Sequence, residues 1–193
     1  VIHFAGLKSV SESIQYPEKY WDFNVHGSKV LLKIMDKYEC RNIVFSSSAT
    51  VYKFLGLNEF LTEAAKTNPI NPYGETKLEV EKILKALFKK EKNLWRISIL
   101  RYFNPIGAHV SGMIGEDPQG FPNNLFPLIT KAASGEMDKL KIYGNDWPTA
   151  DGTAIRDYIH VMDLAEAHYL ALKKLMEYKS KLSILNIGTG IGT

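Results

Sequence analysis

Residues 43–48 read Ile-Val-Phe-Ser-Ser-Ser, a short continuous apolar run that ends in three hydroxyls. Apolarity without alternation marks a strand buried on both faces. Downstream, Gly74–Lys92 sets Val80, Ile83, Leu84, Leu87 and Phe88 at helical spacing, with Glu79, Lys82, Lys85 and Lys89 on the opposite face. Ile97–Arg101 then repeats the first pattern. Strand, helix, strand with connections of this length predicts a right-handed crossover and a parallel sheet. Outward from this unit the rhythm continues. Val1–Ala5 and Ile184–Ile187 read as further strands, and Phe23–Tyr38 as a helix with Leu31, Leu32 and Met35 inward. A helix near Asn124–Ser134 stops at Gly135, suited to a left-handed C-cap. Another opens at Asp163 with Glu166 three residues on, a capping box, and runs through Leu164, Ala167, Ala171, Leu172 and Leu175. The stretch from Ala108 to Tyr158 breaks the alternation, is rich in Gly, Pro and Asn, and reads as a substrate-facing subdomain.

The 193 residues are 45% hydrophobic, 11% aromatic and 23% charged, which excludes disordered and fibrous classes. The net charge of +3 is spread without a basic arm, so no nucleic-acid partner is expected. No apolar run reaches the roughly 18–20 residues that cross a bilayer, so no membrane role is expected either. Cys40 is the single cysteine; it excludes a disulfide framework and reads as a small buried hydrophobe ending an apolar helix. A reduced, cytoplasmic setting is expected. His3, His26, His109, His160 and His168 show no metal-ligand spacing, so no metal is expected. The sequence begins inside the apolar run Val1–Ala5 and ends at Ile191-Gly192-Thr193, right after a strand-like run. It reads as the central piece of a longer fold.

In parallel sheets ligands bind beyond the carboxyl ends of the strands. The residues to inspect are therefore Gly6-Leu7-Lys8, Ser46-Ser47-Ser48 and Tyr102-Phe103-Asn104. Tyr73-Gly74-Glu75-Thr76-Lys77 places a phenol and an ammonium four residues apart, one above the other at a helix start. A nearby cation favours phenolate, and a helix N-terminus acts in the same direction. That spacing alone recurs by chance. Preceded 25 residues earlier by the strand-end serine Ser48, it points to a tyrosine base and a serine meeting one substrate oxygen.

The motifs Val1–Lys8, Phe45–Tyr52, Asn71-Pro72-Tyr73-Gly74, Leu100–Pro105, Gly115–Gly120 and Arg156–Val161 together are specific. On them the chain resembles the extended short-chain dehydrogenase/reductase superfamily and, within it, the UDP-glucose 4-epimerase (UDP-galactose 4-epimerase) family, over essentially its whole length. The resemblance implies an α/β fold: a Rossmann-like doubly wound parallel sheet with a smaller substrate-binding α/β subdomain. It divides the chain into 1–107, the C-terminal part of an NAD-binding domain; 108–158, a UDP-sugar-binding region; and 159–193, a return helix and strand.

The implied activity is reversible 4-epimerisation of UDP-galactose and UDP-glucose through a 4-keto sugar, in galactose metabolism, with tightly bound NAD. Tyr73 would be the catalytic base and Lys77 would depress its pKa and reach the nicotinamide ribose. Ser48 would bond the same sugar oxygen, with Ala49 and Thr50 beside it. Phe4, Ala5, Gly6, Leu7, Lys8 and Phe103 match the cofactor-binding positions. Tyr102, Phe103, Asn104, Asn124, Leu125 and Arg156 match substrate contacts, Asn104 and Arg156 gripping the diphosphate. Lys141, Ile142 and Tyr143 match a strand that lines uracil. The family's homodimer, through the helices at Phe23–Tyr38 and Gly74–Lys92, is implied as well.

Two positions depart from the pattern: Phe23 precedes Asn24 where some members carry a cofactor-contacting asparagine, and Lys53 stands where glycine is usual. The Gly-rich phosphate turn and the ribose-holding acid are not in this stretch, so these residues by themselves are expected to be inactive. The 4,6-dehydratases need an acid and a base where Ala49-Thr50 stands, and UDP-glucuronate decarboxylases need a glutamate; both are disfavoured. A 4-epimerase for UDP-N-acetylhexosamine or UDP-pentose stays open, and a non-catalytic NAD-binding regulator is the remote alternative.

Overall fold

The structure, a computed structural model, describes residues 1–53, 60–92, 94–118, 120 and 122–193. Gln119 of the Gly115–Gly120 motif lies outside the described residues. In chain order the elements are β1 (Ile2–His3), α1 (Val10–Gln15), α2 (Pro17–Tyr20), a π-helical stretch (Trp21–His26), α3 (Gly27–Lys37), β2 (Asn42–Ser48) and a 3-10 turn (Ala49–Val51). Then follow α4 (Pro72–Lys90), β3 (Arg96–Tyr102), β4 (Asn104–Ile106), α5 (Leu125–Ala133), β5 (Tyr158–His160), α6 (Val161–Met176) and β6 (Lys181–Ile187). They form two compact units, 1–103 with 166–187 and 104–165 with 188–193. The chain crosses between them after residues 103, 165 and 187.

The first unit holds a four-stranded sheet, order β1-β2-β3-β6, with every pair parallel. Its register sets Ser48 beside Tyr102 and Tyr102 beside Ile187, so the strands end in line. One face is covered by α3 and α4: Val25, Leu32, Met35, Val80 and Leu84 close over Ile43, Phe45, Trp95, Ile97 and Ile99. Both helices join one core cluster on that face. Ala171 and Leu175 of α6 cover Val44 and Leu100 on the other face. Helices on both faces make the sheet doubly wound, the Rossmann-like arrangement expected.

Several expectations are corrected. The first strand is only Ile2–His3, and Phe4, Ala5 and Lys8 emerge at the surface. β6 is not buried on both faces: it is an edge strand, and Leu185 is 40% exposed. Cys40 is exposed rather than buried. Its turn explains this: Glu39 takes φ 55°, its amide donates to Asp36 and the Cys40 amide to Met35, a Schellman end that turns the next side chain away from the core. The helix Gly74–Lys92 starts earlier, at Pro72, because Asn71 caps it and proline suits the first helical position. The last helix starts at Val161, so Asp163 lies in its first turn rather than at the cap; His160 Nδ1 accepts from the Met162 amide instead.

The second unit contains the parallel pair β4–β5, which the sequence does not announce, and α5. Phe126 of α5 stacks toward Tyr158 with centroids 6.5 Å apart. Gly107, at φ 92°, has the His160 imidazole 2.5 Å from where a Cβ would stand, so a larger residue does not fit. The Asp157 carboxylate gathers the chain end: one oxygen accepts from the amide and hydroxyl of Thr189, the other from the Gly190 amide. Among the described residues no helix is long and apolar enough to cross a membrane.

Candidate active site

The first unit builds a site where β2 ends. Ser48 is extended and its hydroxyl starts the 3-10 turn, accepting from the Thr50 amide at 3.2 Å and from Thr50 Oγ1 at 3.0 Å. Opposite it α4 begins. Asn71 Oδ1 accepts from the Gly74 amide at 2.8 Å, and Ser13 of α1 accepts from the Tyr73 amide at 3.2 Å. The first turn of α4 is thus held from two sides, and with it the Tyr73 ring. Gly74 is needed for this approach: a Cβ there would meet the Thr50 carbonyl oxygen at 2.7 Å and Pro69 Cβ at 2.9 Å. Because one obstacle is backbone, Gly74→Ala is expected to lower unfolding stability by about 1–3 kcal/mol, read from urea melts.

Lys77 is buried one turn on. Its Nζ donates to the Ser46 carbonyl at 2.8 Å and lies 5.7 Å from the Tyr73 ring centroid and 5.2 Å from that of Phe45. Burial lowers its pKa to about 8. Tyr73 is pushed up from its usual value by burial, against a hydrogen bond with Ser48 that acts downward. The expected pKa lowering by Lys77 is therefore not the governing effect in this geometry: the ammonium's hydrogen bond goes to the strand carbonyl, and desolvation of the phenol wins.

A lysine depressed from 10.5 to about 8 weakens the fold wherever the unfolded chain takes a proton that the folded chain refuses. Stability therefore falls as pH drops from 10.5 to about 8, and the full penalty applies below 8. In dinucleotide-free protein, Lys77→Met is expected to stabilise at pH 7 by about 1–3 kcal/mol and to lose that advantage near pH 10.5. Urea midpoints at the two pH values check it.

The stretch matched to the cofactor joins this site through Asn24, which sequence reasoning passed over. Asn24 sits in the π-helical turn, a distortion that often marks functional positions. Its side chain takes the Leu7 amide (2.7 Å) and gives to the Leu7 carbonyl (3.0 Å) and Thr76 Oγ1 (3.2 Å). Thr76 in turn bonds the Tyr73 carbonyl at 2.7 Å. Gly6, at φ 154°, has Asn24 Oδ1 2.9 Å from where a Cβ would stand. Gly6 and Leu7 are thereby locked to the helix that carries Tyr73. The exposed backbone of Phe4–Lys8, without a side chain at Gly6, fits close approach by a dinucleotide. Phe23, next to Asn24, is 58% exposed. Lys53 needs no glycine geometry; its amide donates to Lys66. Phe4 stacks on His168, Tyr102 hydrogen-bonds His168 Nε2, and the Phe103 amide donates to Ile187.

In the second unit Asn104 pairs with Tyr158 across β4–β5, and its side chain donates to the Asp157 carbonyl at 2.9 Å. Arg156 is thus its neighbour, exposed, with Nη1 on the Ile155 carbonyl. Asn124 precedes α5 and donates to Glu116 Oε1; Leu125 begins the helix, 44% exposed. The expected uracil-lining strand is absent: Lys141, Ile142 and Tyr143 lie in irregular chain, and Tyr143 is 83% exposed.

The first unit thus sets a phenol, a buried ammonium and a serine hydroxyl at the carboxyl end of a parallel sheet wound by helices on both faces, where ligands of such sheets bind. Residues 1–188 match the NAD dependent epimerase/dehydratase family. The chain belongs to that family. It is 51% identical to a UDP-glucose 4-epimerase of Bacillus subtilis, over all of this chain and 56% of the relative. A UDP-glucose 4-epimerase of Cyamopsis tetragonoloba is likewise 51% identical, over 55% of its length. Among solved structures, UDP-glucose 4-epimerase of Stenotrophomonas maltophila, with NAD and formylated UDP-arabinopyranose, matches with TM-score 0.94 at 47% identity over the whole chain and 56% of that one. The enzyme of Bifidobacterium longum, with NAD and UDP, gives 0.93 at 47% identity, over the whole chain and 57% of that one. The chain thus spans a little over half the length of these relatives.

Proposed function

We propose that the full-length protein is a UDP-sugar 4-epimerase that interconverts UDP-galactose and UDP-glucose. The observation that carries this is the first turn of α4, bearing Tyr73, packed on the turn that Ser48 caps, with Lys77 buried one turn on and no carboxyl group at Ala49-Thr50. Tyr73 removes the proton from the sugar 4-hydroxyl while Ser48, oriented by Thr50, bonds the same oxygen. NAD, when bound, supplies the acceptor and then the donor of the C4 hydride. The 4-keto sugar turns over in the site, and Tyr73 returns the proton once the opposite face is reduced. The missing carboxylates matter because loss of water across C5–C6 needs a second acid and base. Dehydration is thereby disfavoured.

The remaining assignments belong to the same proposal. Phe4–Lys8, Lys77 and Phe103 hold NAD. Asn104 and Arg156 grip the diphosphate, Arg through its planar fork. Tyr102, Asn124 and Leu125 complete the nucleotide-sugar contacts, and Lys141–Tyr143 meet uracil from irregular chain rather than from a strand. The protein works in galactose metabolism in the cytoplasm, as a homodimer through α3 and α4. A second reading, a UDP-pentose epimerase, is favoured by a 52% identical bifunctional UDP-glucose and UDP-xylose 4-epimerase of Pisum sativum, of which this chain covers 55%. The test is conversion of UDP-galactose to UDP-glucose by the full-length chain with no NAD added. Conversion supports the first reading; conversion of UDP-xylose alone selects the second; neither, with NAD bound, removes both.

A further inference from the structure

Tyr73, Lys77 and Glu81 form one stripe along α4 at four-residue steps, laid against the end of β2 and the turn that follows it. The turn bearing Tyr73 packs on the turn that Ser48 caps, where a Cβ at Gly74 would meet the Thr50 carbonyl oxygen at 2.7 Å; Lys77 donates to the Ser46 carbonyl at 2.8 Å, and Glu81 accepts from the Ser47 hydroxyl at 2.7 Å. The first two rungs have roles in the proposed chemistry. The third has none, yet it carries a charge in the core.

Glu81 is fully buried, and Arg101 of β3, 2% exposed, grips it with a fork: Nε to Oε1 at 2.9 Å and Nη2 to Oε2 at 2.6 Å. Lys85 adds a third cationic contact to Oε2 at 3.1 Å. The other guanidinium nitrogen donates to the Tyr52 hydroxyl at 2.8 Å and the Glu63 carbonyl at 3.2 Å. Tyr52, just past the turn that Ser48 caps, donates to Asn186 of β6 at 2.5 Å. One guanidinium therefore ties α4, β2, β3, β6 and the chain after Ser48 to a common frame.

Stability alone does not account for this cluster, because a buried ion pair is matched or bettered by apolar residues of the same volume. What apolar packing lacks is direction. Two parallel bonds from a planar fork fix both the rotation of α4 and its slide along β2. We infer that Arg101 and Glu81 are positioning residues for proton transfer, setting α4 against β2 so that the Tyr73 phenol meets the Ser48 hydroxyl. The inference rests on Tyr73 and Ser48 being the proton-handling pair of the proposed function.

The test uses the full-length chain carrying Ser47→Ala, Glu81→Met and Arg101→Met together, which removes the ion pair and the hydroxyl it would orphan. The expected result is a folded, NAD-binding protein whose kcat falls about 10- to 100-fold, since misplacement near 1 Å costs about that much, with KM changed less than about twofold. Arg101→Lys is the second variant: it keeps the charge, loses the fork and is expected to lower kcat in the same sense. A substrate-free readout accompanies both, the titration of the Tyr73 ring carbon bearing the hydroxyl, by NMR of labelled tyrosine assigned with Tyr73→Phe. It is expected to move upward as the Ser48 contact loosens. Wild-type kcat and an unmoved Tyr73 titration in either folded variant overturn the inference. If the unmutated protein epimerises no UDP-sugar, the functional reading falls, and the Tyr73 titration still decides the positioning role.

Discussion

Tyr73→Phe in the full-length protein is expected to lower kcat for UDP-galactose epimerisation by about 10²- to 10⁴-fold, the usual worth of a positioned general base. Bound NAD should not change. Phenylalanine keeps the ring and its place at the start of α4, because the bonds that hold that turn come from backbone: the Tyr73 amide to Ser13, and Thr76 Oγ1 to the Tyr73 carbonyl. Lys77 retains its own bond to the Ser46 carbonyl. Only the group that takes the proton is lost. Ser48→Ala should cost less, since it removes an orienting hydrogen bond and leaves the base. Single-turnover reduction of bound NAD by sugar, together with the NAD content of denatured protein, checks both halves of the expectation. Undiminished turnover in Tyr73→Phe would place the base elsewhere.

The parts of the fold and site that the sequence discloses are those set by local spacing. The run Ile43–Ser48, the stripe Val80–Phe88 and the run Ile97–Arg101 each carry their own periodicity, and the sheet follows from their order. Tyr73 and Lys77 are legible because four residues is one helical turn. Asn24 was not legible: its partners Leu7 and Thr76 lie 17 and 52 residues away, and its aim depends on a π-helical turn that no pattern announces. Cys40 departs from its expected burial for a related reason. The apolar helix before it is real, but a left-handed Glu39 reverses the chain just past its end. The segment Lys141–Tyr143 has alternating character, yet no strand among the described residues pairs with it. Arg101 read as part of a motif, and Glu81 carries no signal in the helical pattern; only the packing of α4 on the sheet brings them face to face.

That pairing makes Arg101→Met the most damaging single change to stability. It leaves the Glu81 carboxylate in the core with Ser47 and the half-exposed Lys85, and the loss is expected to be about 3–5 kcal/mol. The triple replacement that also removes Glu81 and Ser47 should recover most of this, so the effects are strongly non-additive. The pH dependence should also change sign. In the parent, burial raises the Glu81 pKa, but hydrogen bonds from Arg101 and Ser47 and the charges of Arg101 and Lys85 outweigh it, and the carboxyl is held below its usual 4.5. Its contribution is therefore present above pH 4.5 and lost as pH falls through the lower folded value. Without Arg101, burial dominates and the folded carboxyl titrates above 4.5, so Arg101→Met should lose stability as pH rises from 4.5 toward neutrality. Urea midpoints of parent and variant at pH 5 and pH 8 measure this directly: the gap between them should widen at the higher pH. A gap that does not depend on pH would mean that Lys85 and Ser47 already suffice to hold the charge.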